Sequence, residues 1–356
     1  MDDEFVLVSD GLREHKKVYW ELAMLNGKSI LVTGGTGSFG QCFIKTLLDR
    51  YEPNRVIIYS RDEWKQSEMA AKPEFQHSAV RFFLGDVRDG DRLNRAMRGV
   101  DFVVHSAALK QVPAAEYNPH EFIKTNVNGA TNIVEAALTA GVKKVVALST
   151  DKAVNPVNLY GATKLCSDKV FVAANSYAGE GGTTFSVVRY GNVVGSRGSV
   201  IPLFCRQREN GKITVTDPDM TRFLITLDQG VEFVLRSLDV MVGGELFVPK
   251  IPACTVSDIA QVVAPDCEWE VLGLRPGEKV HEVLIPEDEA RNVLEFDDHF
   301  VIQPIQSFWG NKIGILGGVS CSPGFRYASN CNCETFTREQ LTALLAEYRP
   351  ANRRES

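Results

Sequence analysis

Tyr160 and Lys164 stand four residues apart in Asn158-Leu159-Tyr160-Gly161-Ala162-Thr163-Lys164. On a helix that spacing puts both side chains on one face. A cation beside a phenol favours the phenolate and lowers the tyrosine pKa from its free value of about 10, so the pair is a candidate base. Such a pair also arises by chance on solvated helix faces, and a hydroxyl at a nearby strand end together with a distant glycine-rich turn would decide for chemistry. Ser149-Thr150 and Thr33-Gly34-Gly35-Thr36-Gly37-Ser38-Phe39-Gly40 supply both.

The elements that must position these groups can be read from the same stretch. Residues 144–148 form a short Val-rich run that predicts a buried strand, with the polar residues beginning at its C-terminal end. In an open parallel sheet that edge is where ligands bind. Asn155-Pro156 breaks the chain, and a helix is predicted from about residue 158 through Leu165 and Val170-Phe171. A first strand is predicted over 30–32, then the glycine turn, then a helix from about Ser38 carrying Phe39, Phe43, Leu47 and Leu48. Glycine suits that turn because the backbone must approach a pyrophosphate closely while the helix N-terminus faces its charge.

Further strands are predicted over 55–59, 80–84, 102–105 and 185–189, with a long helix from about 121 to 140 that carries Asn126. Ser60-Arg61-Asp62-Glu63-Trp64-Lys65-Gln66 follows the second strand. Arg61 and Lys65 favour NADP over NAD there, since cations accommodate a 2′-phosphate; the alternative is a pair of solvated helix-start charges. Ser106-Ala107-Ala108 after the fourth strand are small enough for a cofactor to lie against. His105 reads as a core histidine, and residues 110–119 as an irregular loop.

The glycine turn with Tyr160-Gly161-Ala162-Thr163-Lys164 resembles the extended short-chain dehydrogenase/reductase superfamily, and the inserted Asp151-Lys152 narrows the resemblance to the inverting UDP-N-acetylglucosamine 4,6-dehydratases that open pseudaminic acid synthesis. The resemblance implies an α/β fold, a Rossmann-type doubly wound parallel sheet with a smaller, mixed C-terminal substrate lobe. It implies catalytic Thr150, Asp151, Lys152, Tyr160 and Lys164, with Lys152 as the carbon 5 base and Asp151 as the acid for the departing 6-hydroxyl. The expected NADP site comprises Gly34, Thr36, Gly37, Ser38, Phe39, Gly40, Ser60, Arg61, Asp62, Lys65, Gln66, Asp86, Val87, Ala107, Ala108, Lys110, Tyr160, Lys164 and Val193. The expected substrate site comprises Lys110, Tyr117, Asn192, Arg197, Arg222, Arg275 and Glu278, binding UDP-N-acetylglucosamine or a close UDP-amino sugar, with no metal. Two arginines from separate segments suit a diphosphate, since guanidinium forks bind phosphate oxygens bidentately; the alternative is surface ion pairs. A lysine near pKa 10.4 is a poor base, and crowding by Lys164 and Lys110 is expected to lower Lys152. A sugar-nucleotide 4-epimerase and a non-catalytic NADP-binding scaffold are the rival readings.

The 356 residues divide into an N-terminal extension (1–27), an NADP-binding domain (28–195) with later segments crossing back, a substrate lobe (196–345) and a tail (346–356). Leu12, Val18, Trp20, Leu22 and Leu25 predict a short amphipathic helix in the extension. A net charge of −6 provides no footprint for nucleic acid or an anionic membrane. With no long apolar run and an acidic start, the chain is expected to be cytoplasmic, without a membrane span, and to form a homo-oligomer between dimer and hexamer. Cys42, Cys166 and Cys205 sit in apolar runs and read as buried thiols, while Cys321, Cys331 and Cys333 lack an evident fourth zinc ligand.

Overall fold

The computed structural model describes residues 23–179, 181–196, 198–305 and 317–348. Of the helix expected in the N-terminal extension, the structure describes its end, a 3-10 turn at Ala23–Leu25 with Leu25 buried in the core; its earlier residues and the substrate contact expected at Arg197 lie outside the described residues.

Six apolar runs form β1 (Ser29–Thr33), β2 (Arg55–Ser60), β3 (Val80–Leu84), β4 (Phe102–His105), β5 (Lys144–Thr150) and β6 (Thr184–Tyr190). They lie side by side in the order β3-β2-β1-β4-β5-β6, and every pair is parallel. Helices cover such a sheet on both faces, which is why its inner strands are uninterrupted apolar runs; Ile30, Leu31 and Val32 are fully buried. The strand order reverses between β1 and β4, so a crevice opens there beyond the carboxyl ends of the strands. Leu246–Pro249 extends the sheet parallel to β6, and His299–Ile302, Val293–Glu295 and Val319–Ser320 complete ten strands with antiparallel pairings. The architecture is the expected doubly wound α/β sheet with an antiparallel margin.

A second, separate core gathers Ile201, Phe204, Ile213, Val215, Met220, Leu224, Ile259 and Leu341. Helices Val200–Gln207, Val256–Val263 and Arg338–Leu344 surround it with the paired strands Lys212–Val215 and Glu268–Val271. Helix Leu227–Val240 crosses back to pack on helix Ser38–Arg50. Among the described residues no helix is long and apolar enough to cross a membrane.

Three local expectations differ from the structure. The helix expected over 121–140 is broken into Pro119–Phe122, a π-turn at Ile123–Asn128 and Gly129–Ala140. The extra residue in the π-turn presents Asn126 to the backbone of Leu109, a local use of helix irregularity common near functional sites. The supposed loop after Lys110 contains helix Val112–Tyr117, with Pro113 in a first turn that has no need of its missing amide. Cys166 is exposed rather than buried, because helix Leu159–Ala174 buries Tyr160, Thr163, Lys164, Ser167, Asp168 and Phe171 on the opposite face. That buried face is largely polar, which an apolar-period reading does not register.

Candidate active site

At the end of β1 the chain turns through Gly34 with φ +66°, and a Cβ there would meet Ala107 N at 2.9 Å. At Gly40 a Cβ would lie 2.5 Å from Gly35 Cα. These glycines let β1, β4 and helix Ser38–Arg50 converge without side chains between them. Gly37 is the helix N-cap and supplies no side-chain cap, so the first-turn amides stay available to an anion in the crevice. Thr33 Oγ1 accepts the Ser106 and Ala107 amides at 3.2 Å each, so its own proton goes to His105 Nδ1 at 2.8 Å. His105 is thereby neutral with its proton on Nε2. Burial, followed by the Lys164 charge, lowers its pKa to about 3.

The crevice has a volume of about 670 Å³, within the range of ligand pockets, about 300–1,000 Å³. Its walls include Gly34, Thr36, Gly37, Ser38, Phe39, Gly40, Ser60, Arg61, Asp62, Lys65, Asp86, Val87, Ala107, Ala108 and Lys110, together with Thr150, Lys152, Tyr160, Lys164, Asn192 and Val193. Glycine turn, helix N-terminus, strand ends and the candidates Thr150, Lys152, Tyr160 and Lys164 thus face one space, with Asp151 buried behind it, and the cradle fits a dinucleotide pyrophosphate. Thr36 Oγ1 and Ser60 Oγ lie 2.9 Å apart and tie the turn to β2. Arg61 stands 3.7 Å from Asp86, and Lys65 pairs with Asp62 at 2.6 Å. Gln66 is spent on structure, donating to Ser60 O at 2.9 Å and Phe83 O at 3.0 Å.

β5 delivers Thr150, and the 3-10 turn Asp151–Ala153 follows it. Thr150 Oγ1 donates to Asp151 Oδ1 at 2.8 Å, and Lys152 Nζ donates to the same oxygen at 3.0 Å. Asp151 is fully buried and its Oδ2 has no partner. Lys152 Nζ also lies 3.3 Å from Glu282 Oε1. Burial opposes the Lys152 charge, but Asp151 and Glu282 outweigh it and hold the ammonium well above its ordinary value. The expected lowering by neighbouring lysines is reversed, because the turn puts two carboxylates on Lys152. Lys110, which lines the crevice, does shift down, by desolvation and by the Lys152 charge, and burial also lowers Lys164 and Lys279.

Asn158 caps helix Leu159–Ala174 by accepting the Gly161 amide at 2.8 Å, and it donates to Gly277 O at 2.8 Å. Burial raises the Tyr160 pKa to about 12, with the Lys152 charge and the Thr150 hydroxyl pulling the other way. Lys164 was expected to supply that pull. Instead its Nζ donates to Leu148 O at 2.7 Å, so it braces β5. One turn on, buried Asp168 accepts from Ser149 Oγ at 2.7 Å and faces Arg189 at 3.7 Å. Asn126 Nδ2 donates to Leu109 O at 2.9 Å and Thr163 Oγ1 at 3.0 Å, joining the π-turn to the Tyr160 helix. Neither Asp168 nor Asn126 announces this by spacing; Asn158 does, as a capping residue ahead of a helix.

The segment 275–282 meets the catalytic turn through residues other than those expected. Lys279 Nζ reaches Asp151 O at 3.5 Å and also donates to Val154 O. Arg275 is exposed and pairs with Glu278 at 2.8 Å. Arg222 donates to Thr221 O at 2.8 Å, Val280 O at 3.0 Å and Lys279 O at 3.1 Å, so its fork fixes backbone. Tyr117 is 88% exposed. Arg222, Arg275, Glu278 and Tyr117 therefore do not line the crevice, whereas Asn192 and Lys110 do. Among the described residues no group of three His, Cys, Asp or Glu is placed to hold a metal ion.

Residues 30–304 match the family model described as polysaccharide biosynthesis protein. The chain is 53% identical to the UDP-N-acetylglucosamine 4,6-dehydratase (inverting) of Campylobacter jejuni, covering 90% of this chain and 98% of that one. It is 42% identical to the UDP-glucose 4-epimerase of Rickettsia conorii over 78% of this chain and 84% of the relative. Among solved structures, Pen from Bacillus thuringiensis superposes with a TM-score of 0.83 at 37% identity, covering 91% of this chain and 98% of that one. With a match over most of its length and a relative at 53% identity that aligns almost end to end, the chain belongs to the polysaccharide biosynthesis protein family, in its inverting UDP-N-acetylglucosamine 4,6-dehydratase branch.

Proposed function

We propose that the chain is an NADP-dependent UDP-N-acetylglucosamine 4,6-dehydratase that inverts carbon 5, a hydro-lyase with built-in 5-epimerase action. The observation that carries the reading is the Lys152–Asp151 contact of 3.0 Å at the end of β5, with Lys152 lining the same crevice as Tyr160. A proton acceptor for carbon 5 and a proton donor for the 6-hydroxyl are what a dehydratase needs beyond the oxidising residues.

A sugar hydroxyl does not leave an unactivated carbon at neutral pH, so the hydrogen on carbon 5 must first be made acidic by a ketone at carbon 4. NADP, when bound, supplies the hydride chemistry. Gly34, Gly37 and the amides of Ser38 and Phe39 hold its pyrophosphate, and Arg61 and Lys65 supply the charge for a 2′-phosphate. Thr150 hydrogen-bonds the sugar oxygen, and Tyr160 takes the 4-hydroxyl proton while Lys164 fixes the strand beneath it. Lys152 removes the carbon 5 proton. Asp151, with its unpartnered Oδ2, protonates the departing 6-hydroxyl. With the hydride taken from carbon 4 returned to carbon 6 and carbon 5 reprotonated from the opposite face, the product would be UDP-2-acetamido-2,6-dideoxy-β-L-arabino-hex-4-ulose. Asn192 and Lys110 contact the sugar nucleotide.

We also place the enzyme in the cytoplasm as a homo-oligomer, at the opening step of pseudaminic acid synthesis. Incubation with UDP-N-acetylglucosamine and NADP tests the activity: the product mass is expected to be lower by one water. The relative named UDP-glucose 4-epimerase favours a second reading, epimerisation. Product of unchanged mass and altered carbon 4 configuration would support that reading.

A further inference from the structure

We propose that Glu282 is the proton partner of Lys152: it takes the ammonium proton to ready Lys152 for carbon 5, and holds that proton while Lys152 collects the one on carbon 5. The proposal rests on the dehydratase reading and assigns a role within it.

Glu282 stands immediately ahead of strand Val283–Ile285, whose Leu284 and Ile285 join the main core, whereas Lys152 follows β5 of the central sheet. Two segments far apart in sequence therefore meet at this ion pair, with Lys152 Nζ 3.3 Å from Glu282 Oε1. Glu282 is 3% exposed, and its second oxygen, Oε2, is buried with no partner. Its backbone is pinned, the amide donating to Ser329 Oγ at 2.9 Å and the carbonyl accepting from Ser329 N at 2.8 Å. A buried carboxylate oxygen left unpaired is costly, and such a group persists where it has work to do. Lys152 is the more open partner, its side chain 28% exposed toward the crevice.

Lys152 cannot abstract a proton while it carries three of its own. Its surroundings favour that charged form: the Asp151 and Glu282 carboxyl groups hold its pKa up against burial and the charges of Arg222, Lys110 and Lys279, with the Tyr160 phenol alongside. Asp151 is committed to Thr150 and to the 6-hydroxyl, which leaves Glu282 as the acceptor. Transfer of one proton from Lys152 to Glu282 turns an ammonium and a carboxylate into an amine and a carboxylic acid, with no change of net charge. When substrate displaces water, a desolvated ion pair loses its hydration and the neutral pair becomes accessible. The amine then takes the carbon 5 proton, and Lys152 is again an ammonium. Arg222 Nε, 4.0 Å from Glu282 Oε1, orients the carboxylate without filling Oε2.

Glu282→Gln keeps the shape and removes the proton acceptor; Glu282→Asp keeps the acceptor one methylene further away. In deuterium oxide with UDP-N-acetylglucosamine, Glu282→Gln should incorporate deuterium at carbon 5 at least a hundredfold more slowly than the unmodified enzyme, while cofactor reduction in the first half-reaction stays within about threefold. Its elimination rate should climb with pH between 7 and 9, as hydroxide replaces the missing acceptor, where the unmodified enzyme is flat. Glu282→Asp should recover at least a tenth of the exchange rate. Exchange in Glu282→Gln within threefold of the unmodified rate, or an equal loss of both half-reactions, overturns the proposal. Should Glu282→Gln not fold, Glu282→Asp decides alone: a recovery of a tenth or more with altered pH dependence supports the relay, and a pH profile identical to the unmodified one overturns it. An unmodified enzyme that never dehydrates the sugar refutes the dehydratase reading itself, a result distinct from any Glu282 effect.

Discussion

A Cβ built on Gly161 would lie 2.1 Å from the carbonyl oxygen of Lys152. The helix that carries Tyr160 and the turn that carries Lys152 are in backbone contact, and only glycine permits it. Ala in place of Gly inside a helix ordinarily gains about 1 kcal/mol. Here Gly161→Ala is expected to lose about 1–3 kcal/mol through overlap with backbone that cannot swing aside. A urea midpoint equal to or above that of the unmodified protein would show that the contact is looser than described.

Tyr160→Phe removes only the phenolic oxygen, so turnover should fall by about a hundredfold or more while dinucleotide affinity is nearly kept. Lys164→Ala should damage both, because Nζ holds Leu148 O beneath the crevice and Asp168 loses a neighbouring charge. Fluorescence titration with cofactor alongside single-turnover kinetics separates the two outcomes. Retained turnover in Tyr160→Phe would move the proton acceptor elsewhere.

NADP should bind more tightly than NAD. Arg61 and Lys65 border the crevice at the end of β2, and their pairings with Asp86 and Asp62 are partly exposed and open to exchange for a phosphate. Arg61→Ala should narrow the preference by about tenfold, the scale of one charge-assisted contact. Titration of the unmodified protein with each cofactor checks this, and tighter NAD binding would contradict it.

His105 provides a pH prediction. Its pKa is about 3 in the folded chain and about 6.5 in the unfolded one. Between those values the unfolded chain binds a proton that the folded chain refuses, so stability falls as pH falls, by about 1.4 kcal/mol per unit from this group. His105→Asn removes that contribution. Urea unfolding at pH 5 and pH 7 should give a smaller difference for the variant, and an equal difference would mean that His105 is protonated in the native state.

The sheet was legible because its strands are Val- and Ile-rich runs buried on both sides, which periodicity and turn residues mark plainly. The glycine turn was legible because close backbone approach admits only glycine at Gly34 and Gly40. The crevice walls that come from strand ends, such as Ser60, Ala107 and Thr150, follow from topology. What spacing could not show was orientation. Lys164 and Tyr160 share a helix face as predicted, yet Lys164 turns to the β5 backbone; Arg222 resembles a phosphate clamp and instead holds three carbonyls. Glu282 lies 130 residues from Lys152 in sequence, and no local pattern brings the two together.

Carbon 5 configuration is the most direct test of the central claim that Lys152 makes this an inverting dehydratase. The unmodified protein, incubated in deuterium oxide with UDP-N-acetylglucosamine and NADP, should yield a 4-keto-6-deoxy sugar of L configuration carrying deuterium at carbon 5, read by proton NMR and mass. Lys152→Glu should still reduce the cofactor yet release at least a hundredfold less dehydrated product. A D-configured product from the unmodified protein would contradict inversion, and a sugar that keeps its 6-hydroxyl would contradict dehydration.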